Sequence, residues 1–170
     1  MTVVRAAQSR DCEAIGALHY WSRATAYAGF LPPEALMFGS PQALGTWWEA
    51  RFDAERDTHR LAVACQGADV VGFTYVGPAG AESDPERDAE LYAIHVAPEH
   101  VGSGIGRLLM DDALGALRII ASSAVLWVLA ANAAARRFYE RCGWAADGTR
   151  RDGQIGNVLT PQVRYRRALI

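Results

Sequence analysis

At 170 residues, with no repeat or low-complexity tract, the chain reads as a single domain over 1–170 with a substantial core. With 51% apolar residues and a net charge of −2 it lacks the basic excess of an electrostatic nucleic-acid binder. No apolar run approaches the roughly 20 residues of a membrane span, and the separated Cys12, Cys65 and Cys142 read as free thiols of a reducing cytoplasm, not a disulfide framework.

Thr2–Ala6 reads as a first strand. Ser9 and Asp11 carry helix-starting chemistry, and Ile15, Leu18 and Trp21/Ser22 follow at helical spacing as far as about Ala26. Ala28-Gly29 breaks that helix, and Leu31-Pro32-Pro33-Glu34 opens a short one, since proline is tolerated in a first turn. Pro41 to about Glu55 reads as a further helix carrying Leu44, Trp47, Trp48 and Phe52. Leu61–Cys65 and Val70–Val76 are β-rich runs joined by Gln-Gly-Ala-Asp, an antiparallel hairpin pattern. The polar stretch Gly77–Ala89 is expected as a loop. A strand over Glu90–Ala97 leads into a glycine-rich turn, then a helix with Ile105, Leu108, Leu109, Ala113, Leu117 and Ile120 on one face. The continuous apolar run Ala124–Ala130 suits a central buried strand. Asn132 can cap a helix that Gly143 ends. The tail alternates towards Val163-Arg164-Tyr165-Arg166-Arg167 and is expected to close the sheet. The order β-α-α-β-β-β-α-β-α-β describes an α/β fold with a mixed sheet.

The most specific stretch is ELYAIHVAPEHVGSGIGRLLM, Glu90 to Met110. Gly102, Gly104 and Gly106 alternate where a strand turns into a helix. Glycine there admits positive φ and close approach of a ligand. The unpaired N–H groups and positive dipole end of the helix suit an anion such as a pyrophosphate. A Walker A loop is excluded because Arg107-Leu108 stands where Lys-[Ser/Thr] is required. A Rossmann fingerprint fails because its third glycine falls one place early, and the acidic ribose ligand is replaced by the apolar AVLWVLA. A nucleophile elbow fails because glycines flank Ser103 directly.

Val101 to Gly106 instead resembles the acyl-CoA loop of the GNAT N-acetyltransferases, [QR]-x-x-G-x-[GA], at both glycines; Val101 departs at the first position. The preceding V-A-P-E is a common lead-in of that family. Further on, Asn132, Ala135, Phe138, Tyr139, Gly143 and Trp144 match N-x-x-A-x-x-[FL]-Y-x-x-x-G-[FW]. The likeness is strongest over Glu90–Trp144. It implies a mixed, mostly antiparallel sheet flanked by helices, with central strands splayed to admit the pantetheine arm. It implies acetyl-CoA as cofactor, and homodimers are common in the family.

By this resemblance, backbone N–H groups of Val101, Gly102, Ser103, Gly104, Ile105 and Gly106, continued by Arg107, would hold the CoA pyrophosphate. The strand Ile94, His95 and Val96 would pair with the pantetheine amides. Asn132 and Ala135 would lie near that arm, Asn132 serving equally as an N-cap. Tyr139 takes the family's place for an acid that protonates the leaving thiolate, although a packing tyrosine beside Phe138 fits the same pattern. Glu90 stands where relatives carry a base. The attacking amine is mostly protonated at neutral pH, so a base must take its proton, directly or through a water. A solvated acid after Asp84, Glu86 and Asp88 is the alternative. Tyr92, on the same strand face as Glu90, could line the acceptor pocket. Trp21, Arg23 and Tyr27 follow as acceptor candidates, because the segment after the first helix lines that pocket in relatives.

The resulting expectation is direct acetyl transfer to the primary amine of a small molecule, with neither nucleic acid nor membrane as partner. A protein or peptide amine, or a CoA-binding sensor without turnover, are the alternatives. His19, His59, His95 and His100 form no H-E-x-x-H pattern, and no metal is expected.

Overall fold

The computed structural model describes residues 1–36, 38–84 and 86–170. Its strands are β1 (Thr2–Ala6), β2 (Arg60–Gln66), β3 (Asp69–Pro78), β4 (Asp88–Val96), β5 (Ser123–Leu129), β6 (Ala145–Ile155) and β7 (Val158–Ala168). Its helices are α1 (Cys12–Ala26), α2 (Pro33–Leu36), α3 (Pro41–Ala54), α4 (Ile105–Ile120) and α5 (Ala133–Arg141). The strands form one sheet in the order β1-β2-β3-β4-β5-β7-β6. Every neighbouring pair is antiparallel except β4 and β5. The mixed, mostly antiparallel sheet is the one expected.

Two departures from the sequence expectation concern the tail and α4. Residues 145–155 form an unforeseen strand, and β7 lies inside it instead of closing the sheet. Ala145–Ile155 is an edge strand with alternating exposure and a register shift between Ala146 and Arg150, so little apolar pattern marks it. On α4, Met110 and Leu114 are buried with Ile105, Leu109, Ala113 and Leu117, whereas Leu108 and Ile120 face water. The buried set keeps a truer 3.6-residue period.

The sheet buries one face under α1 and α3 and the other under α4 and α5. Ile15, Trp48, Val63, Phe73 and Tyr75 fill the first layer; Met110, Leu117, Leu126 and Tyr165 fill the second. Helices α1 and α3 touch backbone to backbone. A Cβ built on Gly16 would stand 2.1 Å from Gly45 N, so α1 can carry no side chain at the crossing, and one on Gly45 would press to 3.3 Å from Glu13 Cα. This contact brings Trp48 of α3 against His19 of α1, and the indole Nε1 donates to His19 Nδ1 at 3.1 Å.

The centre of the sheet opens. Among the described residues only Asp88–Glu90 of β4 pair with Ser123–Val125 of β5, although both strands run on. A clamp holds the paired end. Arg166 of β7 donates to both carboxylate oxygens of Asp88 at 2.7 and 3.2 Å and to Ser123 Oγ at 2.8 Å. Beyond it the strands diverge, as the expected splay requires.

Candidate active site

The glycine turn lies where β4 gives way to α4. Gly102 and Gly104 have φ of 83° and 89°, and a Cβ on either would meet nothing within 4 Å. They are therefore glycine for backbone conformation, not for crowding. Gly106 differs, since a Cβ there would come within 3.4 Å of Phe138 and 3.8 Å of Val96. Among the described residues, the N–H groups of Gly102, Gly104, Ile105 and Gly106 donate to no carbonyl, while those of Ser103 and Arg107 turn back to His100 and Gly104. The result is an open cradle of free donors at the positive end of a 16-residue helix, which fits a pyrophosphate. Val101 is 72% exposed and Ser103 Oγ donates to His100 O, so neither side chain fills the cradle. Arg107 is exposed and pairs with Asp111 at 3.3 Å.

Beyond Glu90, β4 pairs with β3 alone, which leaves the backbone of 91–96 free on the side facing β5. A slot edged by unpaired amides can accept an extended amide-bearing chain as an added strand. Ile94 and Val96 point towards α4, whereas the His95 ring points the other way, towards α1. A bulge causes this change of face. Val76 pairs with Leu91 and Tyr75 with Ala93, so Tyr92 is the extra residue. Glu90, Tyr92, Ala93 and His95 therefore share one face, which strict alternation would forbid.

That face floors a cleft of about 320 Å³. Helices α1 and α3 supply His19, Arg23, Tyr27, Trp47, Trp48 and Arg51; β5, β6 and β7 supply Trp127, Arg151, Gln154 and Gln162. The tip of the β6–β7 hairpin closes one end: a Cβ on Gly156 would lie 3.0 Å from Phe38 Cβ and 3.1 Å from Ala35 O. Leu31, Leu36 and Leu129, with Tyr27, Phe30 and Ile155, bind this roof together.

Glu90 is 7% exposed, and its Oε2 accepts from Gly80 N at 3.1 Å. Burial pushes its carboxyl above the ordinary value, against the Gly80 N–H and the Arg151 charge. Tyr92 Oη donates to Pro78 O, and burial beside Glu90 raises its phenol. His19 is lowered to about 2, by burial first and then by His95 and Arg23; His95 is lowered to about 4 by burial and Arg23. Both rings are neutral at neutral pH. His95 Nδ1 and Ser22 Oγ share a 3.0 Å hydrogen bond.

Tyr139 is not in the cleft lining. It packs with Phe138 and Tyr165 against the α4–α5 core layer. Burial, with smaller effects from Tyr27 and Cys142, raises its phenol, so the proton stays on. Asn132 caps α5, its Oδ1 accepting from Ala135 N at 3.1 Å, and Ala135 packs against the core. Arg23 and Tyr27 line the cleft, whereas Trp21 does not: it is 57% exposed and leans on Tyr20. The expectation that Trp21 lines the acceptor pocket thus differs from its place on the outer face of α1. At that point of α1 the inward positions are Ser22 and Leu18.

The His19 side chain, Trp47, Trp48, Arg51, Trp127, Arg151, Gln154 and Gln162 went unforeseen. The tryptophans read as core, and the last three residues flank the missed hairpin. A usable signal was present in Ile155-Gly156-Asn157-Val158, a two-residue Gly-Asn turn between alternating runs.

Residues 16–144 match the family model for the acetyltransferase (GNAT) family. No curated protein matches the chain. Among solved structures it is similar to an N-acetyltransferase from Staphylococcus aureus Mu50, at 18% identity and TM-score 0.78, covering 100% of this chain and 99% of that one. It is similar to the ribosomal-protein-alanine N-acetyltransferase of Brucella melitensis, at 22% identity and TM-score 0.75, covering 98% and 99%. It is also similar to the PaiA N-acetyltransferase of Thermoplasma acidophilum in complex with coenzyme A, at 16% identity and TM-score 0.74, covering 99% of each chain. At these identities the likeness is one of fold.

Proposed function

Because the chain belongs to the GNAT family of acetyltransferases, we propose that it carries acetyl from acetyl-CoA directly to the primary amine of a small molecule. The observation that carries this reading is the opening between β4 and β5, with a donor cradle at one end and a roofed cleft against one face. The roof favours a small acceptor, because the Gly156 tip against Ala35 and Phe38 leaves no peptide-wide groove there.

Acetyl-CoA, when bound, supplies the acetyl group as a thioester and carries away the thiol. The free N–H groups of Gly102, Gly104, Ile105 and Gly106 bind its pyrophosphate, and the open edge of 91–96 pairs with its amide arm. Backbone N–H groups of β4 at the opening stabilise charge developing on the acyl oxygen. Glu90, directly or through a water, takes the proton of the acceptor ammonium, and its raised pKa suits a base that must also release that proton. The Tyr139 phenol, held protonated, gives its proton to the departing sulfur. Tyr92 shapes the cleft floor and holds Pro78.

The reading includes a single catalytic unit over 1–170 and a reducing cytoplasm, in keeping with three buried free cysteines. It includes a homodimer, as in many relatives. Among the described residues no helix is long and apolar enough to cross a membrane. The test is free-thiol release from acetyl-CoA across a panel of small amines and N-terminal peptides. Turnover with small amines is expected. Turnover with peptides alone would overturn the small-molecule reading, and acetyl-CoA binding without thiol release would point to a sensor.

A further inference from the structure

Three arginines line the acceptor cleft, and their partners differ. Arg51 is held by Glu55 at 2.7 Å, and its guanidinium lies 4.5 Å from the Tyr75 ring centre. Arg151 pairs with Glu82, donates to Gln162 at 2.7 Å, and lies 4.1 Å over Trp127. Arg23 has no carboxylate partner among the described residues. Its Nη2 donates to Phe38 O at 3.0 Å, and its Nε is buried with no partner. Arg23 nonetheless lines the cleft, beside His19, Tyr27 and His95.

The buried Nε is out of a ligand's reach, but Nη1 makes no hydrogen bond among the described residues, so this half-buried guanidinium keeps a charged donor for a ligand to complete. Neutral His19 and His95 cannot supply an anion. The carboxylate of the lining, Glu90, is already assigned to the acceptor's ammonium. The cleft thus offers one anion and one unpaired cation, with Trp47, Trp48, Trp127 and Tyr27 as apolar wall between and around them.

We propose that the acceptor is an amino acid or a close analogue: a small zwitterion whose ammonium meets Glu90 and whose carboxylate meets Arg23, with its side chain on the aromatic wall. This rests on the acetyl-transfer reading above and narrows it to a substrate class. Arg23 is then a specificity-determining residue, because a guanidinium binds a carboxylate through a charge-assisted fork that an amine without a carboxylate cannot use.

The test has two independent arms on the full chain. The first measures thiol release with matched triads: phenylalanine, phenylalaninamide and phenethylamine; methionine, methioninamide and 3-(methylthio)propylamine. The free amino acids are expected to exceed their amides and decarboxylated amines by about 10- to 100-fold in kcat/KM, the range of one charge-assisted contact. In Arg23→Gln that preference should collapse through KM, and Arg23→Lys should restore part of it. The second arm needs no turnover. Trp47, Trp48 and Trp127 line the cleft, so intrinsic fluorescence should respond saturably to the amino acids and not to the amines. An equal response to all three members of each triad, or a preference that survives Arg23→Gln, would overturn the proposal. Amino-acid binding without thiol release would instead overturn the transfer reading and leave the Arg23 site standing. If Arg23→Gln does not fold, the wild-type triads and titrations still decide.

Discussion

In the proposed reaction the glycine loop and the acceptor cleft work together, but they draw on different parts of the chain. In the loop the free donors are backbone N–H groups, those of Gly102, Gly104, Ile105 and Gly106, and Val101 and Arg107 turn exposed side chains to solvent. The cleft uses side chains from α1, α3, β4, β5, β6 and β7, brought together only by the sheet order. A backbone site tolerates side-chain change and depends on dihedral angles. A side-chain site depends on each residue and on every element that positions it. The same fold can therefore hold one cofactor while its acceptor changes.

Tyr139 belongs to neither the donor cradle nor the cleft lining, so its loss should separate binding from chemistry. Tyr139→Phe keeps the ring and removes the proton donor. It should lower kcat about 100-fold, with the acetyl-CoA Kd measured by calorimetry within about twofold of wild type. An unchanged kcat with a good acceptor would remove Tyr139 from the mechanism.

Glu90 tests the acceptor side. Its carboxyl is raised by burial, so the active anion is lost as pH falls through a value above the ordinary 4.5. The rate should drop across that window. Glu90→Gln should cost about 10- to 100-fold at neutral pH and flatten the acid limb of the pH–rate profile. A profile unaltered by the substitution would assign the proton to another acceptor.

Asp88 sits in the short paired stretch of β4 and β5, two residues before the strands part. Burial alone would raise its carboxyl, but the Arg166 and Ser123 hydrogen bonds outweigh it and hold it below the ordinary value. Its folded pKa is thus below its unfolded pKa. The stability it contributes is complete above 3.8 and is lost as pH falls through the lower folded value. Asp88→Asn should cost about 2 kcal/mol in denaturant unfolding, less than a fully buried pair because the Arg166 side chain is 36% exposed. It should also remove part of the acid-limb dependence of stability. A change below about 0.5 kcal/mol would show that strand pairing alone holds the junction.

The same contrast explains what the chain's residues revealed on their own. The β4–loop–α4 unit and the α5 cap were legible because strand alternation, three glycines and an N-cap asparagine act within a few residues. Asn132 and Gly143 marked α5 through local hydrogen bonds and a φ of 83°. The splay itself followed from resemblance, since no residue of β4 or β5 states where pairing must stop. The cleft was legible only at Arg23, Tyr27, Glu90 and Tyr92. Trp47 and Trp48 are adjacent in sequence, yet Trp48 is 1% exposed and Trp47 is 47% exposed. Only the α1–α3 crossing at Gly16 and Gly45 decides which side each faces. Arg151 was hidden because β6 is a polar edge strand whose pairing depends on β7. The His95 ring was missed because one bulge at Tyr92 moves it to the cleft face, and no residue type announces a bulge.

The smallest expected effects lie in the loop, and they sharpen the comparison most. Gly104→Val places a β-branched residue at φ 89°, where only glycine is unstrained, and should weaken acetyl-CoA binding about tenfold at a strain of roughly 1–2 kcal/mol. Val101→Arg introduces one of the two side chains of the resembled [QR]-x-x-G-x-[GA] loop, at a residue with φ −62° and ample exposure. If backbone donors dominate, the arginine should tighten acetyl-CoA by no more than about threefold, as one exposed charge near an anion contributes roughly 0.3–1 kcal/mol. The gain should fade with added salt, because exposed charges are screened. A gain of a hundredfold would mean that the loop relies on that side chain after all. The distinction between a backbone-built and a side-chain-built site would then fail at Val101.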